Sequence, residues 1–324
     1  MRGGLNDKKR WERAMTKSIG IDVSKETLDA HRTDDGAHAQ FQNDSKGRRA
    51  LLRWIGDKVS LVVFEATGAY HRGLELDLAG ASVPFAKVNP KQARRFAQAI
   101  GKLAKTDRVD AAMLAKMGAV LDLSPQTPAT PELHDMRELL AARRALIKDQ
   151  TAARTRLATA SVGSVQTILK RRLKQIVKDI DQIDDALRNL SGRDMTFARK
   201  VAILASIPGI GQLTAITLLI DMPEIGGMDN KQAASLAGLA PVSQSSGKWQ
   251  GKERIQGGRA QLRKALYMPA LVATRVNPDM TRKYNQLIEA GKEKKVALTA
   301  IMRKLLVMAN ALLRSNRMWT ETRP

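Results

Sequence analysis

Cysteine is absent from all 324 residues. That removes disulfides, thiolate nucleophiles and Cys-ligated zinc from consideration, and it fits a cytoplasmic protein. Aromatic residues supply only 4% of the chain, so recognition of nucleic acid through base-stacking platforms is not expected. The 4 histidines, His31, His38, His71 and His134, are scattered and read as structural or exposed groups. Long apolar runs are also missing. The best stretch, VALTAIMRKLLVMANALL, is broken by Arg303 and Lys304, short of the roughly 18 residues that a membrane span needs. The N-terminal MRGGLNDKKRWERAMTK is basic but has no apolar centre, so residues 1–16 read as a loose basic arm and no signal peptide is expected.

Acids are scarce too: 32 Asp and Glu face 55 Lys and Arg, a formal net charge of +23. A surplus of this size favours polyanions through phosphate neutralisation and counterion release. Nucleic acid is the first candidate partner, ahead of an anionic membrane, and backbone phosphate contact has to carry most of the affinity. With 43% hydrophobic residues the chain can bury ordinary cores.

The chain reads as an arm followed by three parts. Residues 17–125 look α/β. KSIGIDVS, TLDAHR and AHAQFQN form a meander of strands turning at Asp34–Gly36, KGRRALLRWIG is a helix, and VSLVVFEATG is a buried strand. HRGLELDLAGA (helix), SVPFAKV (strand) and the helices NPKQARRFAQAIG and TDRVDAAMLAKMGAV complete a mixed sheet covered by helices. The proline-rich SPQTPATPE, residues 124–132, marks a boundary. Residues 126–192 form a linker and a coiled coil or antiparallel hairpin. Leu169, Leu173, Ile176, Ile180, Ile183, Leu187 and Leu190 alternate spacings of four and three, and Gly163 with its serines reads as the turn. Arg143, Gln150 and Arg154 interrupt the register of the first arm. Residues 193–324 look mainly helical. Their segment SIPGIGQLTAITLLI resembles a helix-hairpin-helix. Gly209 and Gly211 there are either phosphate-facing amides or a plain turn between helices.

Within the α/β part, Asp22 closes the first strand and Glu65 closes the buried strand. A carboxylate after the apolar VVF is costly unless something compensates it. In a sheet of this order the first and fourth strands are neighbours, which lets the two acids meet. Asp107 and Asp110, three residues apart on one helical face, can join them if that helix packs over the same edge. Four oxygen donors with no His or Cys cluster suit a hard cation, Mg²⁺ or Mn²⁺. Taken singly, each acid has an ordinary reading as a cap or salt bridge.

The stretches GIDVSKETLDA, FEATGAYHRGL, VNPKQARRFAQA and KTDRVDAAMLA closely resemble the N-terminal RuvC-like domain of DEDD-type insertion-sequence transposases. These are the RNA-guided bridge recombinases founded on the insertion sequence "one-ten". SIPGIGQLTA, AASLAGLAPV and SSGKWQGKERIQGGRAQLRKALYMPALVAT resemble the family's C-terminal transposase domain, so the resemblance covers the chain beyond the arm. The long arm and the extra serines near the second motif depart from the family pattern. The resemblance implies an RNase H-like fold for the first domain, with its four acids at Asp22, Glu65, Asp107 and Asp110.

Ser243, Ser245 and Ser246 lie among Lys248, Lys252, Arg254, Arg259 and Arg263. By composition alone this is a phosphate-binding loop, since cations stabilise charge on a phosphoryl group. The resemblance implies more: a nucleophilic serine before the glycine of an SG motif, here Ser246, with Ser245 as the alternative register. It further implies a 5′-phosphoserine intermediate, a homotetramer whose site joins domains of different subunits, and a structured guide RNA pairing with donor and target DNA. Arg94, Arg95 and Lys105 are further expected contacts to nucleic acid, and the expected place of action is the prokaryotic cytoplasm, at the nucleoid. Two rivals stand beside this reading. One is a metal-dependent junction endonuclease using water as nucleophile, and the other is a non-enzymatic scaffold assembled through the coiled coil. A sugar-kinase-like ATPase shares a related sheet, but GIDVSK lacks the glycine of its phosphate turn.

Overall fold

A computed structural model describes residues 17–321, apart from 58, 66, 67, 69, 102–106, 127, 129, 244, 247, 248 and 252, with backbone alone at 107, 108, 245, 246, 249 and 250. The basic arm 1–16, Lys105, Lys248 and Lys252 therefore lie outside the described residues. The chain divides into two compact units, residues 1–129 and 130–324.

In the first unit β1 (Ser18–Val23), β2 (Thr27–Arg32) and β3 (His38–Gln42) form the expected meander. They are followed by α1 (Ser45–Ile55), β4 (Leu61–Glu65), α2 (Arg72–Gly80), β5 (Phe85–Val88), α3 (Pro90–Ala99) and α4 (Asp107–Val120). Local chemistry sets the helix ends. Asp44 caps α1 by accepting from the Gly47 amide at 2.7 Å, and Gly56 closes it at φ 70°. Asn89 caps α3 ahead of Pro90, whose missing N–H costs nothing in a first turn.

The sheet order is β3-β2-β1-β4-β5. β1 pairs antiparallel with β2 and parallel with β4, and β4 is parallel to β5. This is the mixed five-stranded sheet that the sequence calls for. Its two faces bury different sets of residues. Ile19, Ile21, Leu28, Val62 and Phe64 pack on Leu51 and Ile55 of α1 and on Leu74 and Leu78 of α2. Leu61, Val63, Ala86 and Val88 pack on Ala93 and Ala97 of α3 and on Met113, Leu114 and Met117 of α4. The start of the proline-rich run is not loose. The Gln126 amide donates to Phe85 O at 2.8 Å and its side chain to Lys87 O at 3.1 Å, which covers the β5 edge.

The second unit opens with two long helices, α5 (Pro131–Thr159) and α6 (Gly163–Ser191). They form a hairpin whose turn is residues 160–162, with Gly163 already helical. Leu169, Ile176 and Leu187 of the heptad seam are buried, and the seam's other members are half-buried. Arg143, which looks like a break in the register, is paired with the buried Asp184 across the hairpin. Next to it, Arg144 reaches Asp221. The helices α7 (Met195–Ala205), α8 (Gln212–Asp221) and α9 (Asn230–Leu236) follow. After a short β segment come α10 (Ala260–Val276), α11 (Pro278–Glu289) and α12 (Lys294–Arg314).

Met136, Leu140 and Leu187 at the base of the hairpin belong to the same apolar core as Ile203, Leu219, Leu266 and Leu305. The core thus runs straight across 192–193, where the sequence reading drew a boundary. By length and composition α12 is apolar enough to cross a membrane, but half of its apolar stretch is buried. Its Ile301, Leu305 and Ala309 are fully buried in this core.

Candidate active site

The parallel register of β1 and β4 pairs Ser18 with Leu61, Ile19 with Val62, Gly20 with Val63 and Ile21 with Phe64. One step further, Asp22 and Glu65 stand side by side at the carboxyl ends of adjacent parallel strands. That is where open α/β sheets place their ligands. Side chains alternate between faces along a strand. Asp22 therefore shares the face of Ser18 and Gly20, and Glu65 that of Leu61 and Val63, whose side chains pack on α4.

Two glycines bring α4 down onto that face. A Cβ at Gly20 would lie 2.1 Å from Ala111 O and 2.2 Å from Ala115 N, so helix and strand touch backbone to backbone there. A Cβ at Gly118 would lie 2.3 Å from Ser18 Oγ and 2.6 Å from Val63 Cγ2. The helix thus passes Ser18 with its carboxyl end and Gly20 with its middle. Its amino-terminal turn, carrying Asp107 and Asp110, continues toward Asp22 and Glu65. Asp22, Glu65 and Asp110 are all half-buried. The Asp107 side chain lies outside the described residues, and among those described no three His, Cys, Asp or Glu groups are gathered closely enough to hold a metal ion. The donor types suit a hard divalent cation: carboxylates alone, carried on two neighbouring strand ends and one helix terminus.

Three further groups border this edge that the sequence reading passed over. Gly20 is one, and a glycine inside an apolar strand is a recognised sign of close backbone approach. Asp29 of β2 is the direct cross-strand partner of Asp22. On the opposite face, behind the end of β4, Glu75 of α2 is fully buried and accepts from Lys87 Nζ of β5 at 2.7 Å, with His71 Nε2 at 3.7 Å. This pair ties the first turn of α2 to the end of β5, beside the strand end that carries Glu65. No periodicity in the sequence announces it.

In the second unit the serine segment forms two small antiparallel ladders. β6 (Pro241–Val242) pairs with β9 (Arg254–Ile255), and β7 (Ser245–Ser246) pairs with β8 (Trp249–Gln250). Ser246 stands opposite Trp249 in the inner ladder. The side chains of Ser245 and Ser246 are outside the described residues, while Ser243 and Arg254 are exposed.

Arg259 and Arg263 have duties within the fold. Arg259 donates to both Glu224 oxygens at 2.7 and 2.8 Å and to Asp221 O at 2.7 Å. Burial pulls the Glu224 carboxyl upward, but the Arg259 hydrogen bonds, the backbone N–H and the Arg259 and Arg137 charges outweigh it, leaving the group below its ordinary range. Arg263 donates to Ala237 O and Gly257 O. It thereby clamps a crossing so tight that a Cβ at Gly258 would lie 2.2 Å from Gly238 N.

The remaining expected contacts separate by exposure. Arg94 and Arg95 are exposed on α3. Gly209, at φ 104°, is a packing glycine, because its Cβ would strike Ala273 of α10 at 2.8 Å. Gly211 is exposed at the start of α8 with open space around it.

Residues 201–285 match the model of the transposase IS116/IS110/IS902 family, and residues 19–160 match a second transposase model, of the DEDD IS110 type. The chain is 32% identical over 316 residues to the pilin gene-inverting protein of Moraxella bovis, covering 92% of this chain and 96% of that protein. The pilin gene-inverting protein of Moraxella lacunata is similar to the same extent. An uncharacterised 43.6 kDa protein of the insertion element IS110 from Streptomyces coelicolor is 30% identical over 124 residues, 38% of this chain and 31% of its own.

Proposed function

The chain belongs to the IS116/IS110/IS902 family of transposases, and from that premise we propose that it is a site-specific DNA recombinase that cuts and rejoins strands through a serine ester. The observation that carries this reading is the placement of Asp22 and Glu65 on neighbouring parallel strand ends, beneath a helix whose first turn holds Asp107 and Asp110. These four carboxylates are the groups that would hold Mg²⁺ or Mn²⁺. A divalent ion there supplies charge to bind the scissile phosphate and to stabilise the transition state.

The nucleophile is Ser246. Its oxygen attacks the scissile phosphorus and gives up its proton as the new P–O bond forms. The bond to the 3′ oxygen breaks, and that oxygen leaves as a 3′ hydroxyl after taking up a proton. The strand is then held as a 5′-phosphoserine ester, which conserves the bond energy for rejoining to a new 3′ hydroxyl. Lys248, Lys252 and Arg254 bind phosphate around the serine. Arg259 and Arg263 contribute by shaping the loop, given the bonds they already make. Arg94, Arg95 and Lys105 add backbone contacts, with the open start of α8 at Gly211 as a further anion site. The charge of +23 supports a nucleic-acid partner of either kind. Family resemblance supports a structured guide RNA that pairs with donor and target DNA. It also supports a homotetramer in which the acids and the serine come from different subunits. DNA inversion, the activity named for the two Moraxella relatives, is the form of recombination we assign.

Trapping tests the proposal. The protein is purified with its bound nucleic acid, which is sequenced, and is then given donor and target DNA with Mg²⁺. A denaturant-resistant protein–DNA adduct is expected, lost in Ser246→Ala, Asp22→Ala and Glu65→Ala and kept in Ser245→Ala. Cleavage without any adduct, undiminished in Ser246→Ala, would replace the serine with water and the recombinase with a nuclease.

A further inference from the structure

Asp29 is a charged residue with no place in the four-acid set, yet it is only 5% exposed. A buried carboxylate is expensive unless it is paired, and here the structure supplies partners. The Gln40 side-chain amide reaches its two oxygens at 3.2 and 3.1 Å, and His38 Nε2 lies 3.4 Å from Oδ1. Both partners come from β3, the edge strand, through the register that sets Asp29 opposite Gln40. His38 Nε2 is itself buried and makes no hydrogen bond among the described residues. Gln40 thus fixes the orientation of Asp29 from the side away from β1, with His38 beside it.

On its other side Asp29 faces Asp22, its cross-strand partner. The two lie on the same face of the sheet. Leu28 and Ala30 point to the α1 and α2 core, so Asp29 points to the α4 face. His31, two residues on, lines a cavity of about 440 Å³ with Val109, Ala112 and Met113 of α4, which confirms the side. Like charges directly opposite one another on a sheet are destabilising. Such a pair, with Asp29 buried and Asp22 half-buried, makes physical sense where a cation binds beside it.

We propose that Asp29, oriented by Gln40 across the strand from Asp22, is a positioning residue that raises the divalent-cation affinity of the acidic edge. It acts through its charge and through Asp22, without itself being a ligand. The inference rests on the four-acid reading given above.

The test is a Mn²⁺ titration of the full chain, followed by calorimetry, with unfolding measured separately in chelator. Asp29→Asn keeps the shape and removes the charge. Its Mn²⁺ affinity is expected to fall about tenfold, the usual scale for groups supporting a metal ligand. The unfolding midpoint in chelator is expected to stay level or rise, because the repulsion with Asp22 is gone. A merely structural role predicts the opposite pair, a lower midpoint with unchanged affinity, and that result overturns the proposal. If Asp29→Asn lowers both, Asp29→Glu decides: recovered affinity supports the charge role and unrecovered affinity refutes it. If the wild type binds no Mn²⁺ and Asp22→Ala changes nothing, the four-acid reading itself falls. Wild-type binding that Asp22→Ala removes and Asp29→Asn leaves intact sinks only the role of Asp29.

Discussion

Replacing Gly20 by alanine adds one methyl group at the point where β1 and α4 touch. The new Cβ would sit 2.1 Å from Ala111 O and 2.2 Å from Ala115 N, where ordinary contact begins at 3.4 Å. Both opposing atoms are backbone, so no side chain can rotate away, and the helix must lift by about 1.3 Å at this point. Overpacking in a well-packed core costs about 1–3 kcal/mol, occasionally more. Opposing backbone puts Gly20→Ala at about 3 kcal/mol, enough to lower the urea midpoint of the first unit clearly. The functional loss is expected to be larger. Asp110 is the residue before Ala111, so lifting the helix draws its carboxylate away from Asp22 and Glu65. A displacement of about 1 Å in a catalytic constellation costs on the order of a hundredfold in rate.

Gly118→Ala supplies the comparison. It adds the same methyl group to the same interface, but its neighbours at 2.3 and 2.6 Å are the Ser18 hydroxyl and a Val63 methyl, further from the acids. It should cost stability with a smaller loss of Mn²⁺ binding and adduct formation. Urea unfolding, Mn²⁺ titration and adduct yield are measured on both variants. If Gly20→Ala binds Mn²⁺ and forms adduct as the wild type does, then α4 does not bring its acids to the strand ends, and the site as built here is wrong.

The other predictions concern the second unit. Arg143→Ala should destabilise the helical hairpin by about 2–3 kcal/mol in chemical unfolding, because it strands the buried Asp184 charge. Replacing Arg143 and Asp184 together by Met and Leu should recover most of that loss. Glu224 titrates below the ordinary glutamate range in the folded protein. It therefore adds stability above its unfolded pKa and loses it as the pH falls through the folded value. Glu224→Gln should accordingly lower the thermal midpoint at pH 7, with the difference closing as the pH falls through the lowered folded value.

Much of this molecule follows from the sequence, because its signals are local. Alternation and apolar runs mark the five strands, and the spacing of Leu169 through Leu190 marks a long helix with one apolar face. The charge surplus identifies the class of partner. Asp22 and Glu65 stand out because a carboxylate ending an apolar strand needs a reason. What the sequence leaves open is what lies opposite what. The strand order already sets β1 beside β4, but only the fold shows the register that carries Asp22 and Glu65 to one level and shows Gly20 and Gly118 letting a helix lie against the sheet. Arg143 looks like a defect in the heptad until Asp184 appears across the hairpin, and Arg259 and Arg263 look like free cations until Glu224 and the Gly238–Gly258 crossing claim them. Asp29 is one acid among 32 until antiparallel pairing sets it against Asp22. Side-chain periodicity is fixed by the backbone within a few residues. Juxtaposition depends on segments far apart along the chain, so the residue types come from the sequence while the tertiary structure decides their company.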